Sequence, residues 1–148
     1  MTVHHFILIL HLLGATVWVG GHLTLSIVFL PIALRRKDPG IILNFERKFE
    51  RLGMAALVGL IISGIWMAYD FNVTASKWFS FSGSFEKVVS LKLIFLFVTF
   101  VCALIAQFLL IPNLNQYNLK KMAALIITVT LTGVAMLVLG STLRYGGI

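Results

Sequence analysis

The sequence predicts an all-α integral membrane protein built as an antiparallel bundle of four transmembrane helices. Three observations carry that prediction. Of its 148 residues, 59% are hydrophobic and only 11% charged, where soluble domains are about 25% charged. The mean hydropathy is +1.01. The apolar residues gather into four long runs, each near the ~20 residues that a helix needs to cross a hydrocarbon core. Four spans use up the length, so residues 1–148 are read as one domain.

Span 1 covers about residues 6–34, with Pro31 near its end and the charged turn Arg35-Arg36-Lys37-Asp38-Pro39-Gly40 behind it. It is read as a retained helix and not a cleaved signal, because no charged segment precedes it and the run is too long. Span 2 covers about residues 52–69. An amphipathic lead-in, with Asn44 as its expected cap, carries Arg47, Lys48 and Arg51. Gly59 and Ser63 form a small-xxx-small pair, a spacing that lets helices approach closely. A polar and aromatic loop over residues 70–85 suits a membrane interface. Span 3, about residues 88–111, stops at Pro112. Span 4, about residues 122–143, ends before Arg144 and Tyr145. Gln107, Thr128, Thr130 and Thr132 are expected to turn inward.

The loops orient the bundle. Arg35, Arg36, Lys37, Arg47, Lys48, Arg51, Lys120 and Lys121 fall on one side, whereas Lys77, Lys87 and Arg144 fall on the other. Basic residues favour the cytoplasmic side of short loops. Both termini are therefore expected outside, periplasmic in the inner membrane of a diderm bacterium. The formal charge of +7 is read as this bias and as contact with lipid headgroups, not as a nucleic-acid surface. Cys102, the one cysteine, lies in an apolar run and has no internal disulfide partner. Neither a Gly-rich phosphate loop nor a CxxC pair nor a nucleophile triad is present.

All four histidines lie in the first 22 residues. Ionisable groups inside a span are costly and raise a functional hypothesis by default. At 100° per residue, His4, His11 and His22 fall within ~20° of one stripe, with Ala15 and Trp18 close to it; His5 points elsewhere. His11 and His22 are roughly 16 Å apart along the axis. They therefore mark two depths, an outer and an inner one. Lys92 enters span 3 from the same side as His11 enters span 1, so the two are expected at similar depth. Lys92 shares its helix face with Thr99, Ala103 and, nearly, Gln107, which reads as an interior face. Met67 and Met136 fall in the same outer half and offer thioethers to a soft metal or a haem. His22 has Gln107 at comparable height, a hydrogen bond as readily as a metal site.

No histidine follows His22, so bis-histidine haem ligation from two helices of one chain is excluded. Histidine with lysine, histidine with methionine, a five-coordinate iron or a histidine from a second subunit remain. Two site readings follow. In the first, haem b is bound in the outer half by His11, with Trp18 packing on the porphyrin and Lys92 or Met136 as second ligand or partner. A periplasmic electron donor or a quinol would then exchange electrons there. In the second, copper is captured by His4 and His5 and passed through His11, Met67, Met136 and His22. A third reading makes the histidine stripe structural. The Gly and Ser spacings permit a homodimer.

The segment from His11 through Trp18 to Gly20-Gly21, in the form H-x6-W-x-G-G, resembles the opening helix of the copper resistance protein D (CopD) family. The following Leu30-Pro31 and Arg35-Arg36 match that pattern. A weaker similarity is to the HemJ family of protoporphyrinogen oxidases. Glu46-Arg47, Arg51-Leu52, Gly64-Ile65-Trp66 and Lys92 echo its segments. The CopD resemblance implies a role in copper passage or resistance. The HemJ resemblance implies that His11 and Lys92 are the haem b-associated pair. The chain departs from HemJ proteins in having Ala106-Gln107-Phe108 where they carry a late histidine, and in lacking their polar Asn-Glu segment before the last helix. These departures favour a CopD-like membrane protein over the oxidase.

Overall fold

A computed structural model describes residues 2–148. Four helices account for its fold: α1 (Val3–Arg36), α2 (Gly40–Asp70), α3 (Ser84–Asn113) and α4 (Leu119–Tyr145). All four are long and apolar enough to cross a membrane, at 34, 31, 30 and 27 residues. No strand is present among the described residues. Large apolar side chains point outward along the helices, as at Ile27, Ile62, Phe97, Phe100 and Phe108. In water such faces would drive association; in a bilayer they meet lipid. The chain is thus a multi-pass membrane protein with an all-α four-helix fold.

An even number of spans brings both termini to one end, called here the terminal end. The other end carries the short connections 37–39 and 114–118 and the eight basic residues of the loops. Neighbouring helices pack as α2 on α1, α1 on α4 and α4 on α3. α2 and α3 do not share an extended interface. What joins their terminal ends is a stack of Phe71 on Phe85 at 5.2 Å.

Prolines shape two of the helices in the same way. Pro31 and Pro112 lack the N–H that would continue the α pattern. Just ahead of each, the helix widens into a five-residue π segment, Leu25–Phe29 in α1 and Ala106–Leu110 in α3. The Leu30 amide donates to the Leu25 carbonyl, and the Ile111 amide to that of Ala106. Such a bulge absorbs a proline without breaking the span.

Two sequence expectations about local structure change. The lead-in of α2 is not a separate element: it is the first part of a single helix. Asn44 does not cap it; Asp38 Oδ1 accepts from the Gly40 amide at 2.8 Å instead, while Asn44 accepts from Arg47. Close approach of α1 and α2 is made by Gly14, not Gly59. A Cβ on Gly14 would lie 3.2 Å from Leu60 Cγ, while Gly59 has nothing near it.

The core has two parts. Near the basic end, Leu25, Leu30, Ala33, Ile42, Leu119, Met122, Ala123 and Ile126 pack together. At mid-depth, Trp18, Val19, Cys102 and Val129 form a second cluster, with Met136 packed against it. A Cβ on Gly133 would lie 3.1 Å from Trp18 Cζ3, so the absent side chain lets the indole seat on α4. Thr130 and Thr132 are buried, as expected, and Thr132 meets Thr99 at 3.2 Å. Gln107 is exposed, against expectation. The interior stripe of α3 runs through Val88, Thr99, Cys102 and Ala106, and Gln107 stands one residue, about 100°, beyond it.

Candidate functional site

His11 is held by a short relay on α2. Its Nδ1 lies 2.8 Å from Ser63 Oγ. Ser63 is buried, and its own hydroxyl donates to the Gly59 carbonyl at 2.6 Å. A serine has a single proton to give. The Gly59 carbonyl is the nearest acceptor of that proton, closer than the Leu60 carbonyl at 3.3 Å, which assigns Ser63 as acceptor from the imidazole and the hydrogen to Nδ1. Nε2 is then the lone-pair nitrogen. It has no hydrogen-bond partner among the described residues and is not sealed from the surface. Gly64 makes room for the ring: a Cβ there would lie 3.3 Å from His11 Cε1. A histidine anchored through one nitrogen and open at the other is the arrangement that ligating histidines adopt.

Lys92 reaches the same level from α3. Trp18 of α1 seats on Gly133 of α4, and Lys92 lies over Gly140, where a Cβ would be 3.0 Å from its Nζ. Seven residues separate His11 from Trp18 and seven separate Gly140 from Gly133. Both steps run toward the terminal end, about 10 Å in each case. His11 and Lys92 therefore stand at one depth. No carboxylate pairs with Lys92 among the described residues. Each of the two side chains rests on a glycine of the neighbouring helix, Gly64 under His11 and Gly140 under Lys92.

The remaining histidines part company with His11. His4 pairs with Asp70 across the terminal end of α1 and α2, with Phe71 edge-on at 5.7 Å and Trp66 at 6.1 Å. His5 is exposed, and its amide donates to Thr2 Oγ1. Asp70 engages His4 alone of the two. His22 lies edge-on to Trp18 at 4.8 Å, and its backbone carbonyl accepts from Thr130 Oγ1 at 3.3 Å. The expected bond from His22 to Gln107 is not formed, because Gln107 faces outward. His22 Nδ1 is buried without a partner among the described residues.

Trp18 is 4% exposed and sits between Gly133 and His22, two turns from His11. Met67 is half-buried on α2, one turn beyond Ser63 toward the terminal end, and Met136 lies between the levels of Trp18 and His11 on α4. Among the described residues, no three His, Cys, Asp or Glu side chains gather into a metal-binding group. Ser63, Gly64 and Gly140 are the residues that sequence reasoning missed. Ser63 stood out only as a small residue, and the two glycines had no partner in view.

No protein-family model, curated protein or solved structure matches the chain.

Proposed function

We propose that the chain is a CopD-like membrane protein that binds haem b between His11 and Lys92 and serves a redox role. The observation that carries this reading is the His11–Ser63–Gly59 relay. It leaves Nε2 unprotonated and unengaged at a depth that Lys92 shares. The residues fit a flat cofactor in two further respects. α2 and α3 do not pack closely along their length, so their backbones do not seal the bundle between them. Glycines stand beneath both polar side chains. When bound, haem b would supply one-electron chemistry. His11 Nε2 would hold the iron. Lys92 would ligate it or neutralise a propionate.

The same reading places the terminal end at the periplasmic face of an inner membrane. Eight basic residues at the opposite end against three at this one support that orientation. A periplasmic donor or a quinol would then reach the site from its own side.

A visible spectrum of the purified protein, made with haem supplied, tests the proposal. We expect a Soret band that disappears in His11→Ala. A colourless wild-type preparation, or a band indifferent to that substitution, would rule the proposal out. Copper in a colourless preparation would redirect it to copper handling. A second reading, a HemJ-like protoporphyrinogen oxidase, draws on the shared depth of His11 and Lys92. Aerobic or quinone-dependent conversion of protoporphyrinogen to the fluorescent porphyrin, lost in Lys92→Met, would distinguish it.

A further inference from the structure

The charges at the two ends of the bundle are handled differently. At the terminal end, Asp70 pairs with His4, and Glu86 lies 3.8 Å from Lys77. Among the described residues these are the two ion pairs. At the basic end, eight lysines and arginines face three acids, Asp38, Glu46 and Glu50, and none of the eight is paired among the described residues. Asp38 is occupied with the Gly40 amide, and Arg47 with the uncharged Asn44.

Beside this unpaired charge lies a groove of about 470 Å3 between the π segment of α1 and the first turns of α2. It is lined by Phe29, Ile41, Asn44, Phe45, Lys48 and Phe49. Its floor is an aromatic row: Phe29 and Phe45 lie 5.1 Å apart, and Phe45 stacks on Phe49 at 5.4 Å. The row is rigidly seated. The Phe49 ring occupies the space that a Cβ on Gly21 or on Gly53 would need, at 2.1 Å and 2.7 Å. Lys48 and Asn44 are exposed at the lip. An apolar floor with a cationic lip, at the end of the spans where hydrocarbon gives way to water, matches a molecule with an acyl chain and a phosphate.

We propose that this groove binds an anionic phospholipid, its acyl chain along Phe29, Phe45 and Phe49 and its phosphodiester at Lys48. Charge complementarity selects the occupant. A zwitterionic lipid offers the same chain without net charge, and an acidic protein segment offers the charge without the chain. Basic recesses between spans bind anionic headgroups by this combination. The site is independent of the haem reading, since it lies in the other half of the molecule.

Native mass spectrometry of the full chain in detergent, with phosphatidylglycerol and phosphatidylcholine added at equal concentration, tests the proposal. Retention of phosphatidylglycerol should exceed that of phosphatidylcholine by at least about fivefold, the weight of one basic residue beside an anionic lipid. Lys48→Gln should remove most of that preference. Asn44→Trp, which fills the groove and leaves the charge, should lower retention of both lipids. Lys87→Gln, at the terminal end, should change neither. Equal retention of the two lipids in the wild type, or a loss in Lys87→Gln as large as in Lys48→Gln, would overturn the proposal. So would indifference to both groove substitutions.

Discussion

His11 and His22 lie on one stripe of one helix, yet the structure treats them oppositely. The ring of His11 is oriented by Ser63, which is oriented in turn by the Gly59 carbonyl, and its second nitrogen is left open. His22 packs against the edge of Trp18, and its Nδ1 is buried with nothing to bond. The difference lies in the neighbouring helix. α2 presents a buried hydroxyl to His11. At the level of His22, α4 presents Thr130, whose hydroxyl goes to backbone carbonyls. A histidine in a span is therefore not a site by residue type alone. A hydrogen bond from the neighbouring helix that fixes one ring nitrogen separates a ligand candidate from a packed ring.

The largest expected effect tests this contrast directly. His11→Ala should abolish the haem spectrum, while His22→Ala should leave it in place. The reverse outcome would exchange the roles of the two depths. Next comes the relay. Ser63→Ala removes the acceptor for Nδ1 and frees the ring to turn. Haem retention through detergent washing should fall about 10- to 100-fold, the usual cost of losing such a partner. Helical content by circular dichroism should hold. Unchanged retention would mean that the ring is fixed by packing alone.

Gly140→Val should have a smaller effect. Its Cβ would stand 3.0 Å from Lys92 Nζ, close enough to displace a flexible side chain but not the backbone. We expect a shifted absorption maximum with little change in thermal stability. A spectrum identical to the wild type would show that Lys92 does not address the cofactor. The smallest effect belongs to His22→Phe. It removes an unpartnered nitrogen, whose burial costs about 1–3 kcal/mol, and keeps an aromatic ring against Trp18. Tm by differential scanning in detergent should hold or rise slightly. A marked fall would reveal that His22 Nδ1 has a partner in the membrane.

Much of the architecture was legible in the chain itself. Span positions follow from hydropathy, a local property that lipid enforces on every turn of the helix. That His11 and Lys92 meet at one depth follows from counting residues along two parallel spans. The inward face of α3 was not legible in this way. Thr99 was placed correctly and Gln107 was not, because a helix stripe drifts with each added residue and no sequence period marks its edge. The close contacts at Gly14, Gly133 and Gly140 were also hidden. A glycine records the absence of a side chain, and only the neighbouring helix shows what fills the space.

Composition, the four apolar runs and the histidine spacing by themselves determined a four-span membrane bundle with two histidine depths in its first helix. Each of these depends on length and order along one chain. The tertiary structure alone decided that Ser63 faces His11 and that Lys92 rests on Gly140. It also decided that α2 and α3 do not pack along their length and that His22 Nδ1 goes unpaired among the described residues. These are matters of which helix lies beside which, and at what rotation. Every span here is apolar almost all round, so the rotation is set by small residues and prolines at a few contacts and not by a broad hydrophobic face.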